Sequence, residues 1–279
     1  MEPVVARKMW RTLEPFHGLI YFAPEATAAY EALGVQGSDG YFASRAAAMG
    51  AVPAEVVIAT FFNFNPEVVR RAIPSAWQAT TPAQLVEARF AAADAALRRT
   101  LGGAVEGDDV ARAAELARTA AEACSPEGRP LYAGQSSLEW PDPPHVALWH
   151  AISLLREFRG DGHLAALVDA GLSGIEALVV HAASGEVPRA ALQTSRGWTD
   201  DDWHAAVAGL AARGVVAEDG SFTAEGAALR QHIEDRTDAL ALAPWAALGQ
   251  AGCDELRALV RPHSRAIVEG GSLGFAPPG

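Results

Sequence analysis

The densest concentration of chemically able side chains is LREFRGDGH, where Arg156, Glu157, Arg159, Asp161 and His163 fall within eight residues. Arg156 and Arg159 stand three apart, so a helix would place them on one face together with Trp149 and Ile152. Guanidiniums beside an apolar stripe need carboxylate or phosphate partners, because a buried charge with none is strongly destabilising. Two arrangements meet that need. In one, the arginines bind a small anionic metabolite, whose carboxylate, sulfate or phosphate group suits bidentate N–H donors. In the other, Glu157 and Asp161, or Asp39, neutralise them in an internal ion-pair network. His163 ordinarily titrates near neutrality and is a candidate general acid or base.

The N-terminal portion offers a second set. His17 and Tyr21 stand four apart in HGLIY, and Arg45 in YFASRAAAMG has Tyr41 and Phe42 nearby. His17 is the other candidate for proton transfer, set against the alternative of a hydrogen-bonded core residue among Phe16, Ile20 and Phe22. The expected site is therefore His17 and His163 as catalytic groups, with Tyr21, Arg45, Arg156, Arg159 and Asp161 binding the ligand. FFNFNPEVV is explained by Asn65 capping a helix whose first residue is Pro66, its phenylalanines forming core or pocket wall. None of the eight histidines falls in a metal-binding spacing, and phosphate-loop, nucleophile-elbow and dinucleotide motifs are missing. Neither metal nor cofactor is expected.

The elements that must hold these groups repeat. Gly50, Glu55 and Trp77 recur as Gly171, Glu176 and Trp198 at a constant offset of 121 residues, and the apolar rhythm between them is kept. Weaker parallels upstream and downstream extend the likeness over nearly the whole chain. A loop rich in proline, with Pro130, Pro141, Pro143 and Pro144, divides two halves near residue 138. The expected organisation is 1–138 and 139–279.

The second half is the easier to read. Leu148, Ile152 and Leu155 mark an apolar helical stripe over about 146–159, with Gly160 as its C-cap and Asp161 capping the next helix up to Gly171. Ser173 and Glu176 form a capping box for a further helix. A short helix at 188–195, a turn, and a helix from Thr199 to Arg213 follow. Val215, Val216, the Asp219-Gly220 turn and Phe222 predict a hairpin before Thr223 caps a long helix. Helix, turn, helix, wing and helix is the winged helix-turn-helix order. The fold class expected is mostly α, as tandem winged-helix-like repeats with short β-hairpin wings.

Over Ser173 to about Ile233 the chain resembles MarR-type regulators, in which a Leu-Thr-x-x-Gly segment follows the wing; here it is Phe222-Thr223-Ala224-Glu225-Gly226. The run LREFRGDGHLAAL, the wing and the later DRTDALA are similar to an actinobacterial family described as helix-turn-helix or MarR-like. That resemblance implies a fold and no reaction.

Charge argues against the DNA role such a fold implies. The chain has 22 basic and 34 acidic residues, a net charge of −12, which repels a polyphosphate. The helix that would enter the major groove starts Thr199-Asp200-Asp201-Asp202, and the wing carries Glu218 and Asp219. In the first half Arg89, Arg98 and Arg99 sit on the equivalent helix, the last two at its C-terminal end, where they complement the helix dipole. With only Cys124 and Cys253, no signal-like N-terminus and no long uncharged apolar run, a reducing, cytoplasmic compartment without membrane insertion is expected. The function expected is binding, with or without transformation, of a small anionic metabolite in a cleft between the halves, without nucleic acid. A MarR-type DNA-binding regulator and a protein-interaction module are the alternatives, and a homodimer through terminal helices stays open.

Overall fold

A computed structural model describes residues 1–271 and Leu273. The chain is mostly helical, with fourteen α-helices among the described residues. In the first half these are α1 (Val4–Gly18), α2 (Pro24–Ala32), α3 (Asp39–Ala46), α4 (Ala54–Phe61), α5 (Pro66–Ala79), α6 (Pro82–Leu101), α7 (Asp108–Glu122) and α8 (Pro130–Ser136). The rest are α9 (Pro144–Asp169), α10 (Gly174–Ala183), α11 (Arg189–Arg196), α12 (Asp200–Ala212), α13 (Ala224–Leu240) and α14 (Ala243–Glu269).

Local signals explain where many of these begin. Asn65 accepts from the Glu67 amide at 3.0 Å with Pro66 at the first helical position. Thr81 with Gln84, Ser173 with Glu176 and Thr199 with Asp202 each form a complete capping box. Thr223 caps α13 through the Gly226 amide at 3.0 Å.

The order α4, α5, α6, α7 is paralleled by α10, α11, α12, α13 at about the offset of the sequence repeat. The wings that should follow are not formed. Among the described residues there is no strand, and 215–222 makes one isolated antiparallel bridge, Val216 with Phe222. Thr223 already caps α13 and its amide bonds to the Val215 carbonyl at 3.4 Å, which leaves no residues to lengthen the pairing. The first-half counterpart is a 3-10 helix, Gly102–Glu106.

The helix break expected at Gly160-Asp161 is also absent: α9 runs through both glycines of RGDGH to Asp169. Two glycines in a helix cost about 1 kcal/mol each, but α9 is buried on nearly every side at the centre of the molecule. At Gly162 an added Cβ would displace the guanidinium of Arg129.

The largest apolar core gathers α1, α2, α6, α7, α9 and α14 around Met9, Phe16, Trp149 and Ile152, and so takes residues from both sides of position 138. A smaller core lies within α10–α13 and the end of α9. A third joins α3, α4 and α5. The halves are clamped where the α4–α5 turn meets the α11–α12 turn. Asn65 N donates to the Arg196 carbonyl at 2.9 Å, Asn65 Nδ2 to the Gly197 carbonyl at 3.1 Å, and Trp198 Nε1 to the Asn63 carbonyl at 2.9 Å. No single helix among the described residues is long and apolar enough to cross a membrane.

Candidate functional site

The expected site residues separate into three environments. His17, Tyr21, Arg45 and Arg156 come together under α4, between α1, α3, α6 and α9. Arg159 and His163 instead face α13, and Asp161 faces α8.

Arg45 is the centre of the first environment. Its guanidinium meets Glu157 at 2.7 and 2.9 Å, donates to Tyr41 Oη at 2.6 Å, and lies 4.6 Å from the centre of the Phe61 ring. Arg156 donates to the same carboxylate at 2.8 Å and approaches Glu14 at 3.8 Å. Burial opposes ionisation of Glu157, and Arg45 and Arg156 more than offset it, holding the carboxyl far below its ordinary range. The internal network that the sequence left open is thus realised here, with Glu157 and Glu14 as its acids.

His17 is fully buried. Ser153 gives its proton to the Trp149 carbonyl at 2.8 Å, so its oxygen accepts from His17 Nδ1 at 2.9 Å. His17 Nε2 then accepts from Tyr21 Oη at 2.8 Å. Burial, reinforced by Arg156, holds the imidazole well below its ordinary pKa, which keeps it neutral. Both ring nitrogens are engaged inside the protein. His17 therefore positions the Tyr21 hydroxyl, and its proton-transfer role has no open nitrogen to act through.

Arg89 on α6 also enters this environment, at 4% exposure and with no carboxylate within ion-pair distance among the described residues. Its contacts to Ser44 Oγ at 3.4 Å and Tyr21 Oη at 3.3 Å are long for hydrogen bonds. The Tyr21 and Trp149 rings flank it at 5.4 and 5.2 Å. Its Nε has no partner, and neither does the buried hydroxyl of Tyr30, which Arg89 senses electrostatically. Arg196, reaching in over Phe64 at 4.5 Å, has a third unpartnered buried donor, its Nε. Four guanidiniums, of Arg45, Arg89, Arg156 and Arg196, thus lie in this region, where among the described residues only Arg45 and Arg156 pair with Glu157 and Glu14, and burial pushes the Glu14 carboxyl above its ordinary range.

In the second environment Arg159 pairs with Asp238 at 2.8 Å, and Arg7 holds the other oxygen at 2.9 Å. Glu234, Asp235 and Arg230 complete a network of three guanidiniums and three carboxylates. His163 Nδ1 donates to Thr237 Oγ1 at 2.9 Å, the hydroxyl in turn donating to the Ile233 carbonyl at 2.7 Å. Burial lowers this imidazole to about 4. Arg156 and Arg159 do share a face, but the space they line with Trp10, Glu14 and Trp245 is only about 10 Å³, room for one water.

Asp161 accepts from the amides of Leu131 and Tyr132 at 3.1 and 2.9 Å. It therefore caps α8, and not the segment after Gly160. Burial raises its carboxyl to about 6. Among the described residues no group of His, Cys, Asp and Glu could hold a metal ion.

Sequence reasoning weighed Arg89 only as a charge toward DNA and passed over Tyr30. The signal was present for Arg89, which lies on the apolar stripe Leu85, Ala92, Ala93 and Ala96 of α6, where an arginine has no place without a reason. Tyr30 stands alone on a short helix and gives no such sign.

A family model described as a helix-turn-helix family matches residues 6–274, nearly the whole chain, and the protein belongs to that family. No curated protein and no solved structure matches it.

Proposed function

We propose that this helix-turn-helix family protein binds a small anion at Arg89. The reading is carried by a single observation: a buried guanidinium without a counter-ion, whose free Nε accompanies the free hydroxyl of Tyr30. Folding alone gives no benefit for such a group, because an apolar residue of similar volume is as stable or more stable at a buried ionic position. An anion at this point would accept from Arg89 Nε and from Tyr30, and would rebalance four guanidiniums held against two carboxylates. Tyr21, fixed by His17, and Ser44 complete the polar wall. Arg196 carries the cluster's field to the α11–α12 turn, which gives an anion a physical route to the helix-turn-helix.

The test is thermal unfolding of the wild type and Arg89→Met in chloride, sulfate, phosphate and a series of small carboxylates at equal ionic strength. Without ligand, Arg89→Met is expected to be as stable as the wild type or more so. One or more of the anions raises the wild-type melting temperature in a saturable way, following the mass-action law for ligands of the native state; Arg89→Met loses that increment. Equal response of both proteins to every anion, or a melting temperature collapsed by Arg89→Met alone, would show that Arg89 is structural.

Family membership favours a second reading, a DNA-binding regulator. Against it, α12 presents Asp200 and Asp201 to solvent in the turn that would meet phosphate. Retardation of DNA from the protein's own operon, falling steeply between low and physiological salt, would establish it; no retardation at micromolar protein would remove it.

A further inference from the structure

Tyr30 and Arg89 carry idle hydrogen-bond donors on two helices, α2 and α6, that pack against each other inside the largest core. Tyr30 is 7% exposed and its hydroxyl has no partner. Its ring lies so close to Gly40 of α3 that an added Cβ would come within 2.8 Å of it. The glycine therefore lets the ring, and the hydroxyl at its end, occupy this place. The Arg89 guanidinium is equally constrained. The Tyr21 and Trp149 rings flank it, Nη1 is turned to Ser44 and Nη2 to Tyr21. Nε is the one nitrogen of the group without a partner.

Two idle donors satisfy two oxygens. A carboxylate has two, in a plane that the edge of a guanidinium matches. A sulfonate, sulfate or phosphate brings at least one oxygen more, with neither donor left to meet it, and an unmet buried acceptor is costly. Charge gives the same answer. Arg45, the cation that acts on Arg89, is already committed to Glu157, so Arg89 has one positive charge to offer. A dianion would leave one negative charge unmatched in the interior, where that is strongly destabilising.

We infer that the anion held at Arg89 is a single monovalent carboxylate, one oxygen accepting from Arg89 Nε and the other from the Tyr30 hydroxyl, and that sulfonates, sulfate and phosphate are rejected. This rests on the anion reading of Arg89 and goes beyond it, since it fixes the charge and shape of the ligand and makes Tyr30 the residue that selects it.

The experiment is calorimetric titration of the full chain, and of Tyr30→Phe and Arg89→Met, with formate, acetate, benzoate, methanesulfonate and sulfate at equal ionic strength. At least one carboxylate is expected to bind the wild type saturably and at least tenfold more tightly than methanesulfonate, which has the charge of acetate and a third oxygen; sulfate gives no saturable heat. Tyr30→Phe keeps the ring and loses only an unmet hydroxyl, so its melting temperature without carboxylate is unchanged or raised, while its carboxylate affinity falls at least tenfold. Methanesulfonate or sulfate binding as tightly as the carboxylates, or a carboxylate affinity unaltered in Tyr30→Phe, would overturn this inference; if Arg89→Met still abolishes binding, the anion site itself stands. A lowered melting temperature in Tyr30→Phe would show that folding already uses the hydroxyl and would overturn it as well. No saturable heat from any anion, or equal binding by Arg89→Met, would overturn both readings together.

Discussion

The two helices that stand third in their respective repeats, α6 and α12, begin alike and end in opposite roles. Each opens with a threonine whose hydroxyl caps the third helical amide, and each third residue returns a side-chain oxygen to the threonine. From there they diverge. α6 runs for 20 residues through the largest core and buries Arg89 on its inner face. α12 runs for 13 residues and turns Asp200 and Asp201 outward. Start signals are local and survive repetition; the chemistry a helix displays is set by what covers it. In this protein the first-half counterpart of α12 lies in the interior, and its arginine is buried with it.

The anchoring tryptophans show the same split. Trp77 Nε1 bonds to the Val52 carbonyl of its own unit at 2.8 Å, whereas Trp198 Nε1 crosses to Asn63 of the other unit. The α11–α12 turn is thus held by the α4–α5 turn, which joins the two parts of the chain at that point.

The contrast breaks first at Glu157. Glu157→Gln leaves Arg45 and Arg156 facing a neutral amide, and loss of one partner from a buried charge network costs about 3–5 kcal/mol. Chemical denaturation should register that loss; a change below about 1 kcal/mol, typical of exposed pairs, would mean that the cluster is solvated and that the interior differs little from the surface of α12. The clamp between the turns gives a smaller effect. At Gly174 an added Cβ would strike the Phe62 carbonyl oxygen, and Phe62 has little freedom to retreat, being the one non-glycine among the described residues with positive φ, at 27°. Gly174→Ala should therefore destabilise by about 1–3 kcal/mol, the usual cost of overpacking. The same substitution at Gly185, exposed on the surface with nothing within 4 Å of the added atom, meets only its positive φ and serves as the reference. Equal losses at both positions would show that the halves are not tightly joined.

The sequence was most informative where interactions are short in range. Asn65 with Pro66, the Ser173–Glu176 box, the helix after Thr199 and the Thr223 cap were all legible, because each is decided by residues within a few positions of one another. The wing was misread for a related reason. Its alternating pattern was real but too short, and the cap on Thr223 ends it before a second pair can form. Gly160 was misread because helix punctuation is a preference of about 1 kcal/mol per residue, and the burial of α9 exceeds it.

The site was legible in its residue types and only partly in its grouping. Arg156 and Arg159 lie on one face as their spacing required, yet one turns to Glu157 and the other to Asp238, 79 residues away. The repeat, the helical content, the capping residues and the acidic first turn of α12 follow from sequence alone, since periodicity and local hydrogen bonds fix them. Which guanidiniums are neutralised and which are left waiting was decided only by tertiary packing. Arg45 finds its carboxylate 112 residues away, while Arg89, on an equally apolar stripe, finds none among the described residues, and no local rule can count charges brought together across such distances.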